Sequence, residues 1–278
     1  MEVQFRLLEQ FPGYRNALMK LEHATARRLR SAEAARTTVS TIHTIVHVVY
    51  HKDEENISDA QVKSQIKILN EDFRAKNADR TKTPTVWSGL VADSMIEFKL
   101  EDIKRFQTPK TSFGSSDDVK SAATGGVDAI DTDKKLNIWV CRLKGSLLGY
   151  AQFPGGPAAT DGVVIRHSAF GNTGTAADPF NLGRTATHEV GHYFNLRHIW
   201  GDTPDCSGSD FVDDTPNAEG PNNGKPTFPS ISCSNGPSGD MFMNYMDYCD
   251  DDSLYMFTKG QVARMHAALD GPRSGLVE

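Results

Sequence analysis

The sequence has few cysteines and no long apolar run, and both shortages narrow what the chain can be. Its 278 residues include four cysteines, too few for a disulfide framework but enough for one or two bridges. No stretch approaches the ~20 apolar residues that a membrane-spanning helix needs. The N-terminal residues show no signal-peptide pattern, so the chain is either cytosolic or has lost a leader.

Charge and overall composition exclude further classes. The formal net charge of −6 is spread along the chain, which argues against a nucleic-acid-binding surface. Hydrophobic residues make up 38% and charged residues 24%, as in an ordinary soluble globular protein. The length is compatible with one large domain or with two small lobes.

Residues 37–198 alternate strand and helix patterns, which predicts an α/β lobe with a twisted, mainly parallel sheet. The helix between the first two strands has a predicted capping box of Ser58 and Gln61, with Ile57 packed onto Val62. The predicted strands are 39–50, 95–102, 135–141, 147–154 and 161–165, and the helix is 57–74.

The two ends of the chain have a different character. Residues 1–36 are basic, Ala-rich and helix-prone with little to bury, which predicts an N-terminal extension or a pro-segment. Residues 199–278 form a predicted C-terminal lobe that starts with a long Gly/Pro/Ser/Asn/Asp-rich loop. A loop of that length usually needs an ion or a disulfide to hold it. The lobe ends in a helix at 257–269, capped by Thr258 and Gln261.

Three histidines and a glutamate lie together in "THEVGHYFNLRHIWGD". His188 and His192 are four residues apart, so on a helix both rings project from one face and can reach one zinc ion. Glu189 lies beside the first ligand and is free to act as a base. His198 can be the third ligand if the chain reverses after His192, and Asn195 permits the left-handed backbone that this needs.

The simpler alternative is a helix with one or two structural histidines. A chance H-E-x-x-H-x(5)-H pattern in a chain of this size is on the order of one in a thousand, which disfavours that alternative. A second set, His43, His47 and His51, shares a strand face. Four strand residues cover ~13 Å, which is too far for one ion, so this set is predicted to be structural.

The motif resembles the extended zinc signature H-E-x-x-H-x-x-G-x-x-H of the metzincin metalloproteases, with Asn195 at the glycine position. The segment "NYMDYCDDDSLYMF" is similar to the metzincin methionine turn, with Met246 at the turn and Tyr248 two residues later. Together with "HVVY", "LNEDFRAKNAD", "LLGYAQFPGG", "DDTP" and "FTKGQ", these motifs resemble the pappalysin family, in particular its short ulilysin-like members. The resemblance runs from about residue 37 to residue 269 and implies a metzincin-type α/β fold.

This resemblance implies a zinc-dependent endopeptidase. His188, His192 and His198 would hold zinc and leave its fourth position to a water whose pKa falls to ~7. Glu189 would act as general base, and Tyr248 would help to stabilise the oxyanion. Met246 would pack beneath the metal, and "LLGYAQF" would bind an extended substrate by strand addition.

Two alternatives belong to other functional classes. One is a catalytically inactive binding scaffold with the same fold, which loss of Glu189 or Tyr248 would indicate, but both are present. The other is a non-proteolytic zinc hydrolase, which would lack the substrate-binding strand, and that strand is also present.

The resemblance further implies a calcium site in the acidic loop, for which a solvated loop is the alternative. Its candidate ligands are Asp210, Val212 through its carbonyl, Asp213 and Thr215. Cys206 and Cys233 match one of the two disulfides of the family. Lys225 and Ser253 occupy the positions of the other. Cys141 is predicted to be a buried thiol, and Cys249 has no predicted role.

Finally, the family context implies specificity, latency and location. Asp251 aligns with the acid at the base of the pocket for the residue after the scissile bond, which predicts cleavage before Arg or Lys; a surface acidic turn is the alternative. Ala35–Arg36 is then a candidate self-cleavage site. Relatives are latent precursors with a zinc-binding pro-segment cysteine, but no cysteine precedes Cys141. The resemblance implies a secreted monomer that acts on protein or peptide substrates, without nucleic-acid or membrane partners.

Overall fold

A five-stranded sheet forms the centre of the protein, whose computed structural model describes residues 2–31 and 36–277. The strand order is β2-β1-β3-β5-β4, in which β4 is antiparallel to β5 and the other pairs are parallel. The predicted mainly parallel sheet is therefore confirmed. The strands are β1 (Ser40–Tyr50), β2 (Ile96–Gln107), β3 (Leu136–Cys141), β4 (Gly149–Ala151) and β5 (Val163–Arg166).

Both faces of the sheet are buried at the inner strands β1, β3 and β5, as their near-continuous apolar runs require, whereas the edge strand β2 is largely exposed beyond Phe98. Side chains such as Val46 and Ile138 face helices α3 (Asp59–Phe73) and α5 (Arg184–Tyr193) in the main core. Val49 and Trp139 belong to a second core on the opposite face. Strand β4 lies at the sheet edge and is shorter than the predicted segment 147–154.

Capping explains where two helices begin. The Ser58 hydroxyl accepts a hydrogen bond from the Gln61 N–H at 3.2 Å, which starts α3. The predicted reciprocal bond is wrong, because the Gln61 amide instead donates to the carbonyls of His167 and Phe170. Helix α6 (Lys259–Leu269) starts with the full capping box of Thr258 and Gln261, as predicted.

The prediction that the N-terminal segment has little to bury is wrong. Helices α1 (Glu2–Gln10) and α2 (Pro12–Ser31) bury Val3, Leu7, Tyr14 and Leu18 in the second core, beside Phe153. Their spacing of three or four residues places these side chains on one side of each helix. Ala35 of the candidate cleavage site lies outside the described residues.

The C-terminal region is mostly irregular before α6. A disulfide joins Cys206 and Cys233 with their Cα atoms 5.3 Å apart, as the resemblance implied. Lys225 pairs with Asp252, the neighbour of Ser253, close to where the family has its other disulfide. The other α-helix of the described residues is the short α4 (Thr85–Ser88), and the other strands are the paired β6 (Asn223–Gly224) and β7 (Tyr248–Cys249); short 3-10 turns occur between these elements. Among the described helices none has the length and apolar character to cross a membrane.

Candidate metal centre and adjoining pocket

Helix α5 and the turn after it bring three histidines together. The Nε2 atom of His198 lies 3.2 Å from Nε2 of His188 and 3.1 Å from Nε2 of His192. Two nitrogens bound tetrahedrally to zinc at 2.0–2.1 Å are separated by about 3.3 Å, so this spacing suits one ion. All three side chains are buried.

The other ring nitrogen of each histidine faces an oxygen acceptor. His188 Nδ1 lies 2.7 Å from the carbonyl of Tyr245, and His192 Nδ1 lies 2.8 Å from that of Leu196. His198 Nδ1 lies 2.5 Å from Asp202 Oδ1. Each Nδ1–H is therefore a donor, which leaves the three Nε2 lone pairs directed at one another, as metal ligands require.

Electrostatics favour the neutral histidines that bind metals. Burial lowers the pKa of His188 to about 4. Burial, together with the charges of the other histidines, lowers the pKa of His192 and His198 as well. Three facing acceptor nitrogens with no proton between them fit a divalent cation such as zinc.

The reversal between His192 and His198 forms at Asn195, which adopts a left-handed φ of 73°. The expected turn is therefore present with asparagine at the glycine position. Gly191, one residue before His192, is helical and packs on the sulfur of Met246 below it. Met246 is fully buried and lies directly under the metal-binding helix.

Glu189 projects from α5 toward the edge strand. A Cβ added to Gly149 in β4 would lie 2.9 Å from Glu189 Cγ and 3.1 Å from Oε1, so the glycine makes room for this carboxylate. Burial raises the pKa of Glu189 to about 8. The side chain is 8% exposed and lines a cavity that opens beside the histidines.

Tyr248 stands on the other side of this cavity. Its ring centroid is 5.6 Å from that of His188 and 4.8 Å from that of His198. Tyr248 is 46% exposed, and partial burial together with the nearby Glu189 raises the pKa of its hydroxyl above the ordinary value, so the hydroxyl stays protonated and can donate. Trp200 orients both rings, since it stacks on His198 at 4.3 Å and meets Tyr248 edge-on.

Asp251 lines the cavity, which has a volume of about 440 Å³. Its Oδ2 accepts hydrogen bonds from the backbone N–H groups of Leu182 and Arg184 at 2.8 and 3.2 Å. Burial raises its pKa to about 6. Its other oxygen, Oδ1, makes no hydrogen bond with the described residues.

Arg184 is a second charged group in the wall of this cavity. Its guanidinium pairs with Asp72 at 2.6 Å and with Asp79 at 2.9 Å. These two carboxylates pair with the arginine, and Asp251 makes no ion pair with it among the described residues. Cys249 also lines the cavity as a free, buried thiol, and Cys141 is buried as predicted.

The acidic loop brings together three of its four candidate calcium ligands. Asp210 is buried, and its Oδ2 lies 2.7 Å from Thr215 Oγ1. The same hydroxyl lies 3.0 Å from the Val212 carbonyl. Asp213 is exposed and does not contact this group through any hydrogen bond of the described residues. Burial raises the pKa of Asp210 to about 7.

Sequence reasoning missed four residues of the site. Asp202 orients His198, Trp200 stacks on it, Phe153 packs against His192, and Arg184 borders the cavity. The spacing of Asp202 four residues after His198 is the one signal that could have indicated a hydrogen-bonded pair. The others depend on contacts between distant segments.

Comparisons with known proteins agree with this geometry. The family model described as pregnancy-associated plasma protein-A, peptidase M43, matches residues 125–270. An extracellular metalloprotease of Pyricularia oryzae is 33% identical over 94% of this chain and 85% of its own. An extracellular metalloprotease 1 of Coccidioides posadasii is 34% identical over 84% of this chain and 78% of its own.

Two solved structures are similar over most of the chain. Mature mirolysin of Tannerella forsythia, in complex with a cleaved peptide, is 47% identical with a TM-score of 0.86, covering 87% of this chain and 97% of its own. A promirolysin mutant of the same organism is 43% identical with a TM-score of 0.91, covering 99% and 94%. The chain belongs to the peptidase M43 family of pregnancy-associated plasma protein-A, with a ulilysin-like metzincin fold, and is a metalloendopeptidase whose family implies zinc.

Proposed function

We propose that this metalloendopeptidase cuts protein chains on the N-terminal side of Arg and Lys with zinc held by His188, His192 and His198. The observation that carries the proposal is the convergence of three unprotonated Nε2 atoms beside a cavity that contains Glu189 and Asp251. Bound zinc would supply a Lewis acid that polarises the scissile carbonyl and lowers the pKa of water. Proton transfer and stabilisation of the oxyanion would be carried out by side chains of the protein itself.

Glu189 would accept a proton from the attacking water and return it to the leaving amine, because a divalent cation bound beside it would lower the pKa that burial alone raises. Its place between the histidines and β4 supports this, because a base must lie within hydrogen-bond reach of the reacting atoms. The Tyr248 hydroxyl would donate to the oxyanion from the opposite side. Donors of this kind are worth about 2.7–4 kcal/mol in other enzymes.

The substrate main chain would add to the edge of β4. In the described part of the chain β4 pairs only with β5, so its outer edge has free backbone groups. Strand addition holds any sequence through main-chain hydrogen bonds, and pockets then supply the selectivity. The first residue after the scissile bond would enter the cavity that Asp251 lines.

A long cationic side chain suits that cavity. The free Oδ1 of Asp251 would accept a hydrogen bond from it, and an apolar side chain would leave the carboxylate unpaired at a cost. Arg can pair in bidentate fashion, so Arg should be accepted at least as well as Lys.

Latency and location follow the relatives. The part of this chain matched by promirolysin but not by mature mirolysin corresponds in length to residues 1–36, which supports a pro-segment removed by a cut at Ala35–Arg36. The cleft would lie between residues 37–198 and 199–278, since both line the cavity. The curated relatives are named extracellular, which supports a secreted enzyme, and a monomer remains the expectation from the family resemblance.

A calcium ion would stabilise the acidic loop through Asp210, the Val212 carbonyl and Thr215, with Asp213 as an outer ligand. Support comes from the three oxygens that already converge and from the burial of Asp210. A buried carboxylate without a cation partner is costly, and an ion would offset that cost.

Peptide profiling tests the proposed specificity. A proteome-derived peptide library treated with the enzyme should yield new N-termini that are mainly Arg and Lys. Hydrophobic new N-termini would contradict the role of Asp251 and leave the zinc site unaffected. Absence of any cleavage by zinc-loaded, processed enzyme would favour the inactive scaffold instead.

A further inference from the structure

A buried arginine in α6 depends on the N-terminal segment for its counter-ion. The Arg264 side chain is 1% exposed, and it makes a bidentate pair with Glu22 of α2 at 2.8 and 2.9 Å. Among the described residues, Glu22 supplies the one carboxylate that pairs with Arg264. The two residues are 242 positions apart, so this pair fastens the N-terminal segment to the rest of the protein.

A second arginine and an amide complete the surroundings of Glu22. Arg197 Nη2 lies 3.8 Å from Glu22 Oε1, and the Asn195 amide donates to the same oxygen at 3.5 Å. Arg197 Nε is buried and makes no hydrogen bond within the described residues. Although burial opposes its ionisation, Arg264 and Arg197 hold the pKa of Glu22 below its ordinary value.

Both arginines also make contacts outside the N-terminal segment. Arg264 donates to the Asn195 carbonyl at 3.2 and 3.3 Å, and both arginines lie near the face of Phe211. None of these contacts involves residues 1–35. Loss of the Glu22 carboxylate alone, with α2 still packed on α6, would leave two guanidinium groups side by side, one of them buried. Loss of the whole segment would leave the same two cations without Glu22 and open to solvent. A buried charge that loses its partner destabilises a protein strongly unless another ion replaces it.

We propose that Arg264, Arg197 and Asn195 form a carboxylate-binding site, which Glu22 occupies in this chain and which takes a free carboxylate after residues 1–35 leave. Only the second part of this proposal, the binding of a free carboxylate after residues 1–35 leave, rests on the proposed cleavage at Ala35–Arg36. Asn195 and Arg197 belong to the turn between His192 and His198, so the bound carboxylate braces the metal centre from outside the cleft. The Asn195 side chain thereby has a use that glycine could not supply.

The first test leaves the chain uncut. In a Glu189→Ala background that prevents self-cleavage, Glu22→Ala should lower the melting temperature by about 5–10 °C. Sodium acetate should restore most of this loss in a saturable way, whereas acetamide and equal concentrations of sodium chloride should not. Glu9→Ala is the matched control, because Glu9 is an exposed acid of the same segment with no ion pair in the described structure. Its melting temperature should be unchanged, with no response to acetate.

A further substitution separates this site from other places where acetate could bind. Adding Arg264→Met to the Glu22→Ala protein should abolish the acetate response, since the guanidinium is gone. A response that persists would come from acetate on zinc and would overturn the proposal. Equal effects of acetate and acetamide on the Glu22→Ala protein would overturn it too.

The processed enzyme provides a measurement that needs no substitution at Glu22. Once mass spectrometry confirms Arg36 as the N-terminus, acetate should raise the melting temperature of the wild-type enzyme and not that of Arg264→Met. No rise in the wild type would show that Arg264 finds another partner, such as Asp210, and would refute the site. If acetate rescues the Glu22→Ala protein but the wild-type enzyme never yields Arg36 as its N-terminus, the processing is refuted and the site stands.

Discussion

Gly191 lies directly above Met246: a Cβ added to the glycine would be 2.6 Å from the methionine sulfur. Glycine in the middle of a helix costs about 1 kcal/mol relative to alanine. Glycine is nevertheless needed at this position of α5, because the fully buried Met246 occupies the space that a side chain would need. The contact fixes the distance between α5 and the turn that contains Met246.

This contact predicts that the effect of Gly191→Ala on stability changes sign when Met246 is replaced by alanine. Gly191→Ala should destabilise the zinc-loaded protein, because overpacking costs about 1–3 kcal/mol and exceeds the gain in helix propensity. In a Met246→Ala background the same substitution should stabilise it by about 1 kcal/mol, since the space is empty. Thermal unfolding of the four proteins measures the coupling, and strictly additive effects would show that the two residues do not touch.

Removal of the Glu189 carboxylate should separate metal binding from catalysis. Glu189→Ala is expected to keep one zinc per chain, because the three histidines and their Nδ1 partners are unchanged. Peptidase activity should fall by at least about 10²–10⁴-fold, the usual contribution of a general base. Zinc analysis and peptide hydrolysis measure the two effects, and cleavage at the wild-type rate would exclude Glu189 as the base.

The preference for arginine should depend on pH through Asp251. Burial raises its pKa to about 6, so the carboxylate is charged above that value and neutral below it. The ratio of kcat/KM for peptides with Arg or citrulline after the scissile bond should be high at pH 7.5 and fall as the pH drops through about 6. Taking the ratio cancels the pH dependence that both substrates share.

Asp251→Asn is the matched variant for this experiment. Its amide oxygen can still accept the backbone hydrogen bonds of Leu182 and Arg184, so only the charge is lost. The Arg/citrulline ratio should then be low and flat across pH. A ratio that stays high in Asp251→Asn would place the specificity in another residue.

Calcium should stabilise the protein through the acidic loop. A calcium-selective chelator should lower the melting temperature and the activity of the wild type without releasing zinc, because binding to the folded state adds stability. Asp210→Asn should reduce this response, since it removes the buried carboxylate. Asp205→Asn is the control, as Asp205 is an exposed acid of the same loop whose partners are local. A wild-type melting temperature unaffected by the chelator would argue for a solvated loop.

Cleavage at Ala35–Arg36 should occur between molecules. In the folded chain the Arg36 guanidinium pairs with Asp270 and donates to Ser40, so it does not occupy the cavity of Asp251. The half-time of self-processing should therefore shorten as protein concentration rises, and wild-type enzyme should cut the inactive Glu189→Ala chain. A half-time independent of concentration would indicate an intramolecular cut.

The sequence predicted those parts of the structure that local patterns encode. The β-branched runs indicated the parallel strands, Thr258 and Gln261 the start of α6, and the spacing of His188 and His192 their common face. Such features depend on neighbours within a few residues, where side-chain period and capping chemistry decide the outcome.

Contacts between distant segments could not be predicted from such local patterns. The buried contacts of Val3 and Leu7, the pair of Glu22 with Arg264, and the neutralisation of Arg184 by Asp72 arise only in the folded chain. The Gln61 amide was misassigned for the same reason, because its carbonyl partners are 106 and 109 residues away. From the sequence alone, charged residues near a chain end are predicted to be solvent-exposed, because the buried partner that pairs with them is known only from the folded structure.

If substrates add to the outer edge of β4, as proposed, that edge would also limit which proteins this enzyme can attack. A chain that adds to a sheet must be fully extended over several residues, so helical segments and paired strands of a target cannot enter without local unfolding. Arginines in mobile loops and in damaged or unfolded proteins would be cut, whereas arginines in rigid elements would persist. The shape of the target's backbone, before the identity of its side chains, would decide how quickly a protein is degraded.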